Sequence, residues 1–86
     1  MTTTKEISGK EKEILSKLGL LIARLRTQHK MSRAELSRKS NLHVQYVYDV
    51  EMGKRNCTIF VLYKIAKTFN LSLSDFFKLY EENTDL

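Results

Sequence analysis

The 86-residue chain contains no proline, no tryptophan, three glycines and a single cysteine. One thiol excludes an internal disulfide, so no disulfide framework can substitute for a core. Few backbone breakers together with 42% hydrophobic residues suit a compact all-helical bundle. The opening MTTTKEISGKEK lacks the apolar run of a signal peptide or a membrane span. The expectation is therefore a soluble cytoplasmic protein with no membrane partner. Catalytic signatures are missing too: there is no glycine-rich phosphate loop and no serine or cysteine nucleophile with an evident histidine and acid partner. His29 and His43 have no cysteine or second histidine at ligand spacing, which argues against a metal site. Cys57 reads as a buried small apolar residue rather than a redox group. A non-enzyme without cofactor or small-molecule substrate is expected.

What is present is an uneven positive charge, +5 in total. Residues 1–31 carry seven Lys or Arg against three Asp or Glu, residues 32–57 five against three, and residues 58–86 three against four. A basic run alone is more often a solvated face than a binding site, so it serves only as support for a motif.

Hydrophobic periodicity predicts five helices in one domain over residues 8–80, between a flexible tail at 1–7 and an acidic tail at 81–86. Ser8-Gly9-Lys10-Glu11 has the capping-box pattern and opens a first helix running to about His29. Its inner face is predicted to hold Ile14, Leu18, Ile22 and Leu25, widened by Leu15, Leu20 and Leu21. Ser32 caps a second helix from Arg33 to Ser40, and a third runs from Val44 to Met52, stopping before Gly53. Thr58 caps a fourth with Ile59, Leu62, Ile65, Ala66 and Phe69 facing the core, ended by Asn70. Ser72 or Ser74 opens a fifth that ends near Tyr80.

The second and third of these carry the informative pattern. Between Met31 and Asn56 two short amphipathic helices are joined by a tight turn. Helices that cross steeply over so short a turn press their backbones together, so the first needs a small residue and the turn a residue that tolerates positive φ. Ser37 is the small residue, and Asn41 is the turn residue because its amide bonds locally to the backbone. Leu36, Leu42, Val47 and Val50 recur at helical spacing and turn one face of each helix inward. Val44, Gln45, Tyr48 and Asp49 then occupy the exposed face of the second, which makes the pair a helix-turn-helix with a candidate reading edge.

The residues resemble the Cro/Xre-type, phage-repressor-like helix-turn-helix family. Leu18 to Arg26 is similar to its first-helix pattern, Ser32-Arg33-Ala34-Glu35-Leu36-Ser37 to the opening of its second helix, and Val47 to Gly53 to its hydrophobic-x-x-hydrophobic-Glu-x-Gly ending. Leu62-Tyr63-Lys64-Ile65-Ala66 also fits, so the likeness covers roughly residues 18–77. The resemblance implies an all-α, five-helix bundle of the lambda-repressor-like type, often dimeric, acting as a transcriptional repressor or regulator. It also implies that Arg26 and Glu51 form a partly buried ion pair joining the first helix to the end of the third. Two positions depart from the pattern. Arg33 stands where members usually carry a phosphate-contacting Gln, and Cys57 where many carry Pro. Tyr46-Val47, Glu51 and Arg55-Asn56-x-Thr58 resemble the controller proteins of restriction-modification systems in particular.

By position, Val44, Gln45 and Asp49 are the candidates for reading bases: Val against a thymine methyl, Gln bidentate to adenine, Asp accepting from cytosine. Asp49 reads nearly as well as a solvated carboxylate held by Gln45 one turn earlier, since phosphates repel carboxylates. Arg33, Arg38, His43, Tyr46, Lys54, Arg55 and Asn56 are the candidates for phosphate contacts. Leu73, Phe76, Phe77 and Tyr80 of the fifth helix exceed what one core-facing stripe can hide, and Phe60 and Val61 stand at fourth-helix positions where the resembled family is often polar. This predicts a homodimer interface of Phe60, Phe76 or Phe77, Leu79 and Tyr80, with the other phenylalanine kept for the core. The alternative is that all of them close a monomeric bundle. The function expected is a dimeric, sequence-specific regulator on a palindromic operator in double-stranded DNA, either a repressor or a restriction-modification controller. The alternatives are an antitoxin that represses its own operon and a helical interaction module without DNA binding.

Overall fold

In the computed structural model, which describes residues 9–82, the chain forms α1 (Gly9–Gln28), α2 (Arg33–Ser40), α3 (Val44–Glu51), α4 (Ile59–Thr68) and α5 (Leu73–Glu82). Helices α1 and α2 both pack on α3, α2 also on α4, and α5 closes the bundle against α1 and α4. The expected tail at 1–7 and the capping serine Ser8 lie outside the described residues, as do positions 83–86. Glu81 and Glu82, expected in a loose tail, instead continue α5 past Tyr80.

Local chemistry sets the helix ends. The side chains of Ser32 and Thr58 accept from the backbone N–H of Glu35 and Val61, and Ser72 accepts from Asp75. His43 precedes α3 without any side-chain cap, as its residue type leads one to expect. Among the described residues Lys30, Asn41 and Asn70 take the left-handed conformation without being glycine, each just after a helix. Asn41 at φ 59° makes the α2–α3 turn, while the Ser37 hydroxyl donates to the Leu42 carbonyl across it.

The core is one cluster drawn from every helix: Leu18, Leu21, Ile22 and Leu25 of α1, Leu36 of α2, Val47 and Val50 of α3, Leu62, Ile65 and Ala66 of α4, and Phe76 of α5. Three residues expected inside are outside. Leu20 is 47% exposed because at 100° per residue it lies about 200° from both Leu18 and Ile22. Ile14 is 44% exposed, and Leu15 takes the buried position in that turn. Ile59, 59% exposed, extends the α4 stripe one turn beyond the elements that cover it.

Gly19 was not singled out by periodicity, yet it sets the spacing of the bundle. A Cβ there would lie 2.4 Å from the Glu51 carbonyl oxygen and 2.5 Å from that of Val50. The end of α3 therefore rests directly on the α1 backbone, and backbone atoms cannot rotate aside. Gly19→Ala is expected to destabilise the fold by about 3 kcal/mol through overpacking. Urea denaturation measures this directly, and an unchanged midpoint would mean that the α1–α3 contact is looser than described.

Candidate nucleic-acid interface

The Glu51 carboxylate lies fully buried at the end of α3, where three elements meet. Arg26 of α1 donates to it twice, from Nε to Oε2 at 2.7 Å and from Nη2 to Oε1 at 3.1 Å, and gives Nη1 to the Met31 carbonyl at 2.9 Å. Arg33, the first residue of α2, donates Nε to Oε1 at 2.8 Å. One carboxylate thus joins α1, α2 and α3. A buried carboxylate is tolerated only when its charge and lone pairs are met, and two guanidiniums meet both. The second guanidinium is a finding the sequence reading missed. Arg33 was expected as a phosphate contact, whereas here its Nε is committed to Glu51 and its guanidinium lies 5.1 Å from the Tyr48 ring centroid.

This junction holds α3 with its outer edge facing solvent. Val44 is 49% exposed, and Gln45 beside it is exposed. One turn on, Gln45 Nε2 donates to Asp49 Oδ1 at 3.0 Å, and Arg55 Nη2 lies 3.6 Å from Asp49 Oδ2. The Arg55 guanidinium also stacks 4.7 Å from the Tyr46 ring, and Lys54 lies 5.7 Å from that of Tyr48. Tyr48 and Asp49 are consequently half-buried rather than fully outward. Lys54, Arg55 and Asn56 are exposed in the α3–α4 loop at the same end of the edge, with the N-terminus of α4 just beyond. His43 is exposed beside Val44. Arg38 is exposed as well but engaged with Glu35 at 4.0 Å, a loose surface pair of α2.

Burial pushes the Cys57 thiol above its ordinary pKa, opposed by a hydrogen bond from Tyr46 and by the charge of Arg55. Burial likewise raises Tyr46, and the Cys57 contact adds to it. Cys57 is half-buried next to the loop of residues 54–56, where burial disfavours its thiolate.

Of the residues expected at an interface between copies, Phe76 is wholly buried in its own core and has no surface to offer. Phe60 is 61% exposed and Phe77 38%, while Leu79 and Tyr80 are half-buried. Tyr80 donates its hydroxyl to the Ile14 carbonyl at 3.3 Å.

A family model described as helix-turn-helix matches residues 22–76, the stretch that holds the Glu51 junction, the left-handed Asn41 turn and α3. The chain belongs to the helix-turn-helix family. The uncharacterized HTH-type transcriptional regulator y4dJ of Sinorhizobium fredii is 33% identical over 55 residues, 64% of this chain and 71% of the relative. Among solved structures, the restriction-modification controller protein C.Esp1396I, determined as a tetramer in complex with its natural 35 base-pair operator, superposes with a TM-score of 0.75 at 33% identity, covering 80% of this chain and 91% of its own. The controller protein C.AhdI of Aeromonas hydrophila gives a TM-score of 0.69 at 31% identity over 72% of this chain and 94% of its own. Among the described residues no helix is long and apolar enough to cross a membrane.

The two arginines of this helix-turn-helix are not equivalent. The Arg26 side chain is 13% exposed and makes three hydrogen bonds; that of Arg33 is 37% exposed and makes one. Arg26→Ala should cost about 3 kcal/mol by stripping a buried carboxylate of its principal partner. Arg33→Ala should cost under about 1 kcal/mol, since solvent already screens that pair. Equal losses in thermal denaturation would mean that the carboxylate is shared evenly.

Proposed function

We propose that this protein is a dimeric DNA-binding transcriptional regulator that places α3 in the major groove of a palindromic operator, in the manner of a restriction-modification controller. The observation that carries the reading is the α3 edge itself. Val44 and Gln45 stand outward on a helix fixed by a buried carboxylate, with a row of basic residues at its end. The likeness to C.Esp1396I, a protein seen on its own operator, supports it. Gln45 offers adenine a donor and an acceptor in one plane, and Val44 offers a methyl surface to thymine. Lys54, Arg55, Asn56 and the N-terminal amides of α4 serve the phosphates on one flank, and His43, Tyr46 and the free edge of Arg33 serve the rest. The protein acts by binding rather than catalysis, and its place is with DNA in the cytoplasm.

One α3 buries too little surface for useful specificity, so a second copy supplies the other half-site. Ile59, Phe60 and Phe77 support this, because a small monomer seldom shows several large apolar side chains together. Beside them Ile14, Leu18, Cys57, Leu62, Phe77 and Tyr80 line an apolar depression of about 330 Å³ between α1, α4 and α5, a size suited to receiving a partner's aromatic ring.

Two measurements test the reading. In mobility-shift titrations on an operator selected from a random duplex library, Gln45→Ala should lose about 1–3 kcal/mol and its preference at one base pair per half-site, with random duplex scarcely affected. Lys54→Ala should weaken both duplexes alike and lower the salt slope by about one. Equal loss on operator and random DNA for Gln45→Ala would remove it from the reading edge. In sedimentation equilibrium at micromolar concentration the parent should be a dimer and Phe77→Asp a folded monomer with weakened operator binding. A parent that sediments as a monomer and binds its operator as one copy would refute the paired arrangement.

A further inference from the structure

Asp49 is a misplaced charge if α3 simply enters a groove between phosphates, because a carboxylate there is repelled. Its two oxygens are nevertheless both engaged within the protein. Oδ1 accepts from Gln45 Nε2 at 3.0 Å, and Oδ2 lies 3.6 Å from Arg55 Nη2. The first contact fixes the orientation of the Gln45 amide. Bidentate pairing with an adenine edge requires that Asp49 take the Nε2 hydrogen trans to Oε1, which leaves the cis hydrogen and Oε1 side by side. The second contact pairs in cis the guanidinium assigned above to a phosphate, and the same guanidinium lies 4.7 Å from the Tyr46 ring centroid.

Building on the DNA-reading role of α3, we propose that Asp49 is a specificity switch. In the free protein and on random DNA it retains Arg55, which lowers affinity for any sequence. Where Gln45 finds its adenine and α3 seats fully, Arg55 leaves Oδ2 for a phosphate oxygen. Asp49 keeps Gln45 oriented through Oδ1, and its released Oδ2 accepts from a neighbouring base amino group such as cytosine N4. Guanine, which offers only acceptors on its major-groove edge, is rejected at that position. Asp49 thus discriminates twice, by withholding a phosphate contact from wrong sequences and by positioning the residue that recognises the right one.

The experiment compares the parent with Asp49→Asn, Asp49→Ala and the double variant Asp49→Asn/Arg55→Ala. Each is titrated over a salt series against the selected operator and a random duplex of equal length. Asp49 is half-buried and Arg55 half-exposed, so each variant is first checked by thermal denaturation, and binding is compared only at temperatures where it is fully folded. Asp49→Asn should bind random duplex about threefold or more tightly than the parent, with a salt slope steeper by about one. The double variant should lose that gain, because the added contact is Arg55's. Repeated selection should show Asp49→Ala broadened at the adenine read by Gln45 and tolerant of guanine beside it. A parent-like slope for Asp49→Asn would overturn the switch, and so would a gain that survives in the double variant, which would reflect charge removal alone. A parent that enriches no sequence would overturn the DNA-reading role itself, a result distinguishable from one in which the parent selects an operator and the Asp49 variants select the same one.

Discussion

The organisation of this protein turns on one buried carboxylate. The Glu51 side chain has no contact with solvent, and in a low-dielectric interior an unpaired charge of that kind is not sustainable. Arg26 and Arg33 converge on it from two other helices. Because Arg26 also ties down the Met31 carbonyl, the α1–α2 connection, the start of α2 and the end of α3 are fixed relative to a single group. Gly19 then sets the distance, since α3 can reach the arginines only where the α1 backbone lets its last carbonyls come close. The outward direction of Gln45 follows from a contact on the opposite end and opposite side of the same helix.

A pair so placed does more for geometry than for stability. Burying an ion pair in place of apolar residues of the same volume often gains nothing, whereas removing one partner is costly. Here its use is to specify one arrangement of α3, a helix of eight residues that could not hold its conformation alone. The aromatic and cationic shell on the other side, with Arg33 and Lys54 on Tyr48 and Arg55 on Tyr46, continues the same constraint to the surface. The outward groups of α3 thus rest on a continuous run of packed and charge-paired side chains that ends in the core.

The features legible from sequence are those whose cause is local. Caps at Ser32 and Thr58, the left-handed Asn41 and the inward stripes of α2 and α3 depend on neighbours within one turn. The i, i+4 spacing of Gln45 and Asp49 already places them in reach of each other. What sequence could not show depends on separation in space. Leu20 and Ile59 are apolar yet exposed, because a stripe is hidden only where another helix lies over it. Glycine at position 19 looks like a weak helix residue until the α3 carbonyls are seen resting on it. Arg33, read as a phosphate contact from the family pattern, joins Glu51 only because the start of α2 and the end of α3 meet, 18 residues apart in the chain. Arg55 meets Asp49 through a loop whose course periodicity does not describe.

The claim that α3 is a reading helix presented in pairs is tested most directly by a methylation-interference footprint on an operator selected by the protein from random sequence. The account predicts interference at guanine N7, a major-groove atom, in two patches related by two-fold symmetry and centred about 34–36 Å apart, one helical turn. Interference confined to adenine N3 in the minor groove, or a single unpaired patch, would contradict it.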